Sequence, residues 1–239
     1  MLAASAFGLL LAVLSRRVCP DPFSRPAFIM SSIRGNLVFV GLPVLTFACA
    51  GRPDADLILA RTALMFAVMV PVYNLTAVLL LHHGHGSNEP GGAARALLTN
   101  PLILACVAGI VFSLAGLRLP EFAVRTFRAA GGMAMPLALL AIGSGMDLAL
   151  LRRRGTPTRV AAAVKVAAHP LAGMAIVRAL GLESGDRLIV LVCLACPTAV
   201  ASYVLCDQMG ADRDLAAGAI VWSTLLSVVS LTAAVAFAV

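Results

Sequence analysis

Charge is the first thing this sequence lacks. Asp, Glu, Lys and Arg make up 12% of the residues and hydrophobic types 61%, against about 25% and about 45–50% in soluble domains. A soluble fold of 239 residues could not absorb that excess, because too much of a chain this size stays at the surface. Lipid removes the difficulty, but every spanning segment must then satisfy its own backbone, which leaves helices or a closed barrel. The apolar runs also lack period-two alternation, and that excludes the barrel.

Other absences exclude chemistry. The formal charge is +7, yet no basic stripe with interleaved aromatics is present, so nucleic acid is not a partner. The arginines sit between apolar runs, as in Arg152-Arg153-Arg154, where positive-inside loops are the plainer reading. Cys193-x-x-Cys196 has no second pair or nearby histidine to complete a tetrahedral site. The six cysteines read as small apolar packing residues. His82, His83 and His85 lack carboxylates or thiols at ligand spacing and read as solvated, so neither a metal nor a cofactor is expected. A Walker-type loop is missing, which argues against ATP-driven work by this chain. Ile142-Gly143-Ser144-Gly145 lacks the glycine two positions before the serine that an intramembrane serine protease needs, and Ser144 with His169 would be its only pair. The chain is not read as an enzyme.

What remains is an all-α integral membrane protein. Helices crossing a bilayer need roughly 20 apolar residues, and eight stretches qualify approximately: 1–14, 36–50, 57–81, 99–117, 132–151, 159–180, 187–206 and 213–238. Gly84 to Gly92 is the longest polar interruption and marks a midpoint. The predicted units are 1–83, a linker at 84–97, and 98–239. Counting Lys and Arg on alternate sides places eleven of the eighteen, Arg34 and Lys165 among them, with the midpoint linker on the cytoplasmic face. Met1–Leu14 covers about 21 Å at helical rise, short of a ~30 Å hydrocarbon core. Its Arg16-Arg17 follows the apolar run, the reverse of a signal peptide. The segment reads as the cytoplasmic part of a spanning helix whose beginning is missing.

The two units match each other. Gly41-Leu42-Pro43 falls in the middle of one predicted helix and Cys196-Pro197-Thr198 in another. A mid-helix proline removes one hydrogen bond and frees a carbonyl, which lipid tolerates only beside protein or a watery cavity. Each proline helix is followed by a glycine and then Asp-x-Asp-Leu, at Asp54–Leu57 and Asp212–Leu215. Both put an Asp where it can cap the incoming helix. Five predicted helices in the second unit make an inverted repeat. By the same logic the first unit, with three, lacks two helices and part of a third.

Ser32-Ile33-Arg34-Gly35-Asn36-Leu37-Val38-Phe39-Val40-Gly41-Leu42-Pro43 resembles the Arg-x-Asn-x-x-Phe-x-Gly-Leu-Pro signature of the auxin efflux carrier family of bacterial permeases. Asn100-Pro101-Leu102-Ile103, Met135–Gly143 and Pro197–Leu205 resemble three later helices of that family, in order. The resemblance implies a ten-helix inverted-repeat transporter fold, bile-acid-symporter-like, with two proline-broken crossover helices. About eight of the ten are present. It places the crossover at Gly41-Leu42-Pro43 and Pro197-Thr198. It also implies a secondary transporter of small organic anions, dicarboxylates or auxin-like carboxylates, working by alternating access in the inner (plasma) membrane.

Broken helices leave free N–H groups and a positive dipole end that suit a carboxylate. The expected substrate-binding residues are Asn36, Gly41, Pro43, Pro197, Thr198, Ser202 and Tyr203. Asp147, Lys165 and His169 are coupling candidates as intramembrane ionisable groups; Lys165 could instead snorkel to the interface, and Lys165 and His169 share a face at i, i+4. Coupling to H+ or Na+ and a homodimer stay open. The alternatives are a pore lined by the crossing helices and an inactive, truncated transporter homologue.

Overall fold

A computed structural model describes residues 2–84, 92–145 and 155–238. Asp147, the triple arginine and His85 lie outside them. Among the described residues the architecture is helical throughout, apart from one isolated two-residue bridge. The helices are α1 (Leu2–Val18), α2 (Arg25–Ile33), α3 (Leu37–Ala48), α4 (Ala55–Gly84), α5 (Gly92–Thr99), α6 (Pro101–Leu114), α7 (Glu121–Gly145), α8 (Gly155–Leu180), α9 (Ser184–Ala195), α10 (Ala201–Gln208) and α11 (Arg213–Ala238). α4, α8 and α11 are long and apolar enough to cross a membrane, while α3 and much of α6 are shorter apolar helices.

Large apolar side chains point outward along these helices: Phe47 is 80% exposed, Leu64 72% and Val229 73%. In water such a surface would aggregate; against lipid it costs nothing. The interior is packed instead through small residues, because lipid supplies no hydrophobic drive between helices. Leu215 to Ile220 of α11 (Leu-Ala-Ala-Gly-Ala-Ile) is buried along its whole length, as are Ala161 and Ala162 of α8. Two apolar clusters result. One joins Leu45, Ile58, Phe66, Leu188 and Leu191; the other joins Phe28, Val78, Leu81, Leu205 and Leu215.

Two stretches share one plan. α2, a non-helical segment at 34–36, α3, a turn and the long α4 make the first; α9, a non-helical segment at 196–200, α10, a turn and the long α11 make the second. Both turns hold a glycine in the left-handed region, Gly51 at φ 80° and Gly210 at φ 66°, where a side chain would be strained. Asp212 caps α11 by accepting from Leu215 N at 3.0 Å and also takes Ser24 Oγ at 2.5 Å. Asp54 behaves differently from its counterpart. Its carboxylate is held by the Arg52 guanidinium at 2.9 and 3.0 Å, which keeps it below the usual carboxylate range.

The first interruption is displaced from its predicted place. Residues 25–33, read from sequence as linker, form a helix with Pro26 in its first turn, and the break falls at 34–36. Pro43 lies on the exposed side of α3 and does not end it. The reason is a π turn, Leu37–Gly41, in which Val40 N and Gly41 N both donate to Asn36 O at 3.1 Å. A widened turn takes up the missing N–H and the ring, which would otherwise clash with the carbonyl four residues back. Pro170 of α8 likewise follows a π turn, Val164–Ala168. Pro197 has no such turn before it, and α9 stops at Ala195.

Candidate functional site

The two interruptions meet. Gly35 and Thr198 form an antiparallel bridge, with Asn36 N donating to Pro197 O at 2.8 Å and Ala199 N to Arg34 O at 2.9 Å. Every helix end must find partners for its last carbonyls, and here the partners come from elsewhere in the bundle. At the end of α2, Ser31 O accepts from Thr198 Oγ1 at 2.8 Å. At the end of α9, Leu194 O accepts from Lys165 Nζ at 2.7 Å and Ala195 O from Ser230 Oγ at 3.0 Å. Thr198 N, which an unbroken helix would direct to Leu194 O, goes to Ser223 Oγ at 2.9 Å. Three of the carbonyls freed at these helix ends thus find donors within the bundle.

A pocket of about 160 Å³ opens beside this junction, lined by Arg34, Gly35, Asn36, Tyr73 and Asn74, with Ala199 from the second interruption and Ala201 at the start of α10. Arg34 is 7% exposed and Asn36 6%. The Arg34 guanidinium donates through Nη2 to Asn74 Oδ1, and Asn74 Nδ2 donates to Cys106 Sγ at 3.4 Å. Arg34 Nη1 is buried with no partner, as are Ser31 Oγ and Ser202 Oγ, all three on the segments flanking the interruptions. Among the described residues no carboxylate pairs with Arg34. A buried cation with an open N–H is expensive unless something anionic completes it.

The residues named from sequence separate on this geometry. Asn36, Pro197 and Thr198 come together at the junction, and Asn36 also lines the pocket. Gly41 is one turn along α3, where a Cβ would lie 3.1 Å from Cys196 Sγ, so the glycine permits the close approach of α3 to the second interruption. Ser202 is buried in α10, and Tyr203 packs against the Val200, Ala217 and Ile220 cluster. Neither lines the pocket, nor does Pro43. Lys165 does not snorkel: it is 1% exposed and spent on Leu194 O. Across the π turn Val164–Ala168, His169 stays close enough to Lys165 for their charges to interact. Arg34 and Lys165 were counted as loop cations from sequence, and both are buried. Arg34, Tyr73 and Asn74 are polar pocket residues that sequence reasoning missed. The available signal was a polar residue inside an otherwise apolar run, Val72-Tyr73-Asn74-Leu75, and an arginine two residues before Asn36.

The sequence pattern of a family described as membrane transport protein matches residues 92–235, which include α8 to α10 and the second interruption. The chain belongs to the membrane transport protein family. A protein of Methanothermobacter thermautotrophicus described as an uncharacterized transporter is 28% identical over 199 residues, or 82% of this chain. The chain spans 62% of that relative's length. Membership places this multi-pass helical chain in a lipid bilayer, which accounts for the outward apolar surface.

Proposed function

We propose that this chain is a secondary carrier of small organic anions, with the substrate carboxylate held beside the paired interruptions. The observation that carries the reading is Arg34: a guanidinium buried in the bundle, held at one end by Asn74, unpaired at Nη1, and lining a pocket. Asn36 adds a neutral hydrogen-bonding group, and the first turn of α3 brings N–H groups and a positive dipole end to the same place. A pocket of about 160 Å³ is smaller than the ~300–1,000 Å³ of drug-sized sites, so the substrate is a carboxylate of a few carbons, a dicarboxylate such as malonate or an auxin-like monocarboxylate fragment.

Alternating access fits a site built from two matched units. The parallel plan of α2–α4 and α9–α11, each with an interruption, a left-handed glycine turn and a long closing helix, supports an inverted repeat of 1–83 and 98–239. In that arrangement the units rock about the junction while Arg34 and Asn36 stay on the substrate. The chain then sits in the plasma membrane as a multi-pass permease, with the midpoint linker on the cytoplasmic side.

Purified protein reconstituted in liposomes and supplied with labelled malonate tests the reading. Saturable uptake that accelerates when unlabelled malonate is preloaded (counterflow) is the expected result. Flux that never saturates would make the chain a pore, and absence of carboxylate flux would refute the proposal.

A further inference from the structure

Lys165 is the only lysine in the sequence, every other basic chain being arginine or histidine. It stands on the π turn Val164–Ala168 of α8 and is 1% exposed. Its Nζ donates to Leu194 O at 2.7 Å, at the carboxyl end of α9. Its Cε lies 3.3 Å from where a Cβ on Gly35 would sit, so the stem passes between the two interruptions. The groups around it are Cys193 of α9, Cys196 just beyond its end, Gly35 at the first interruption, and His169 one turn along its own helix. No carboxylate pairs with it among the described residues.

An ammonium in apolar surroundings without a counter-charge is costly, and a neutral donor would satisfy one carbonyl just as well. What the end of α9 offers in particular is negative potential. Cys193 O has lost its donor to Pro197, which has no N–H, and Leu194 O has lost the N–H of Thr198 to Ser223. The aligned peptide dipoles add to it at the same end. Freed carbonyls at the carboxyl end of a half-helix are ligands for a monovalent cation. We propose that the end of α9 is a monovalent-cation site and that the Lys165 ammonium fills it permanently. The carrier therefore needs no Na+ at this position: the cation is built into the chain and moves with α8.

This rests on the carrier reading only in its transport arm. In detergent solution, wild-type protein should unfold at the same temperature in Na+, K+, n-propylammonium and tetramethylammonium chloride. The Lys165→Ala variant removes the stem and its charge and leaves space the size of a propylammonium ion. It should unfold earlier than wild type, and n-propylammonium or Na+ should raise its unfolding temperature saturably, with no response to the larger tetramethylammonium. Lys165→Met fills the space without a charge or donor; it should be destabilised and unresponsive to every salt.

A Lys165→Met protein as stable as wild type, or a Lys165→Ala protein that neither cation raises above tetramethylammonium, would overturn the site. If neither variant folds, wild type decides alone: stabilisation by Na+ over tetramethylammonium refutes the built-in cation, and indifference supports it. In liposomes, equal uptake of carboxylate in Na+ and choline media is expected, and Na+-dependent uptake would refute the inference. No uptake in either medium would sink the carrier reading while the unfolding measurements still decide the cation site.

Discussion

Replacing Thr198 by valine keeps the side chain's shape and removes one hydroxyl from the place where the interruptions meet. That hydroxyl is wholly buried and supplies the donor for Ser31 O at 2.8 Å, at the end of α2. Deleting a donor so that a buried carbonyl is stranded costs about 1–3 kcal/mol, whereas helix-to-helix hydrogen bonds inside membranes measure about 0.6–1.7 kcal/mol. The overlap of the two ranges sets the expected loss at about 1–2 kcal/mol. At about 2–4 °C per kcal/mol for a chain of this length, the unfolding temperature should fall by about 2–8 °C. A thiol-reactive fluorogenic dye reads this directly, because Cys49, Cys193, Cys196 and Cys206 are free and buried and label only on opening. Thr46→Val is the control: that hydroxyl is exposed and donates to Leu42 O of its own helix at 2.9 Å, so no change is expected. If Thr198→Val unfolded with wild type, or Thr46→Val fell as far, the hydroxyl would not be what closes α2 at the junction.

Asn74→Asp places a carboxylate against the Arg34 guanidinium in nearly the same volume. It should cut the apparent affinity for a transported carboxylate by about tenfold or more, the worth of one charged hydrogen bond, without lowering the unfolding temperature; an unchanged KM would count against Arg34. Asp54→Asn removes the partner of Arg52 in the turn before α4. Because Arg52 holds that carboxylate below its ordinary range, its contribution is present above the unfolded-state value and lost as pH falls through the folded one. The variant should unfold earlier than wild type at neutral pH, and the gap should close in a pH series carried below about 4.

How far the sequence could be read depended on which physical signal each element carries. α11 was legible to the residue, and α4 and α8 nearly so, because long apolar helices announce themselves by hydropathy. α2 was invisible: nine residues with a proline, two serines and an arginine pass for a loop until their partners are known. At Pro197 the helix ends at Ala195, with no wider turn before the proline to take up the missing N–H. Pro43 misled because a π turn, which composition does not encode, absorbs the same defect. Asn36, Pro197 and Thr198, which the structure brings together at the junction, carry a signal in the sequence, while Arg34 carries none as a buried residue. Counting cations by loop treats every arginine as solvated, and only tertiary contacts reveal one folded inward onto Asn74.

In the proposed carrier, Arg34 holds the carboxylate of a small organic anion. Titrating the purified protein with malonate by calorimetry, for wild type and for Arg34→Gln, tests it most directly. A charged hydrogen bond of about 1.5–3 kcal/mol predicts that the substitution weakens binding by about 10- to 150-fold, with Arg34→Lys in between. Equal affinity in wild type and Arg34→Gln, in a variant that unfolds normally, would mean that Arg34 does not hold the carboxylate.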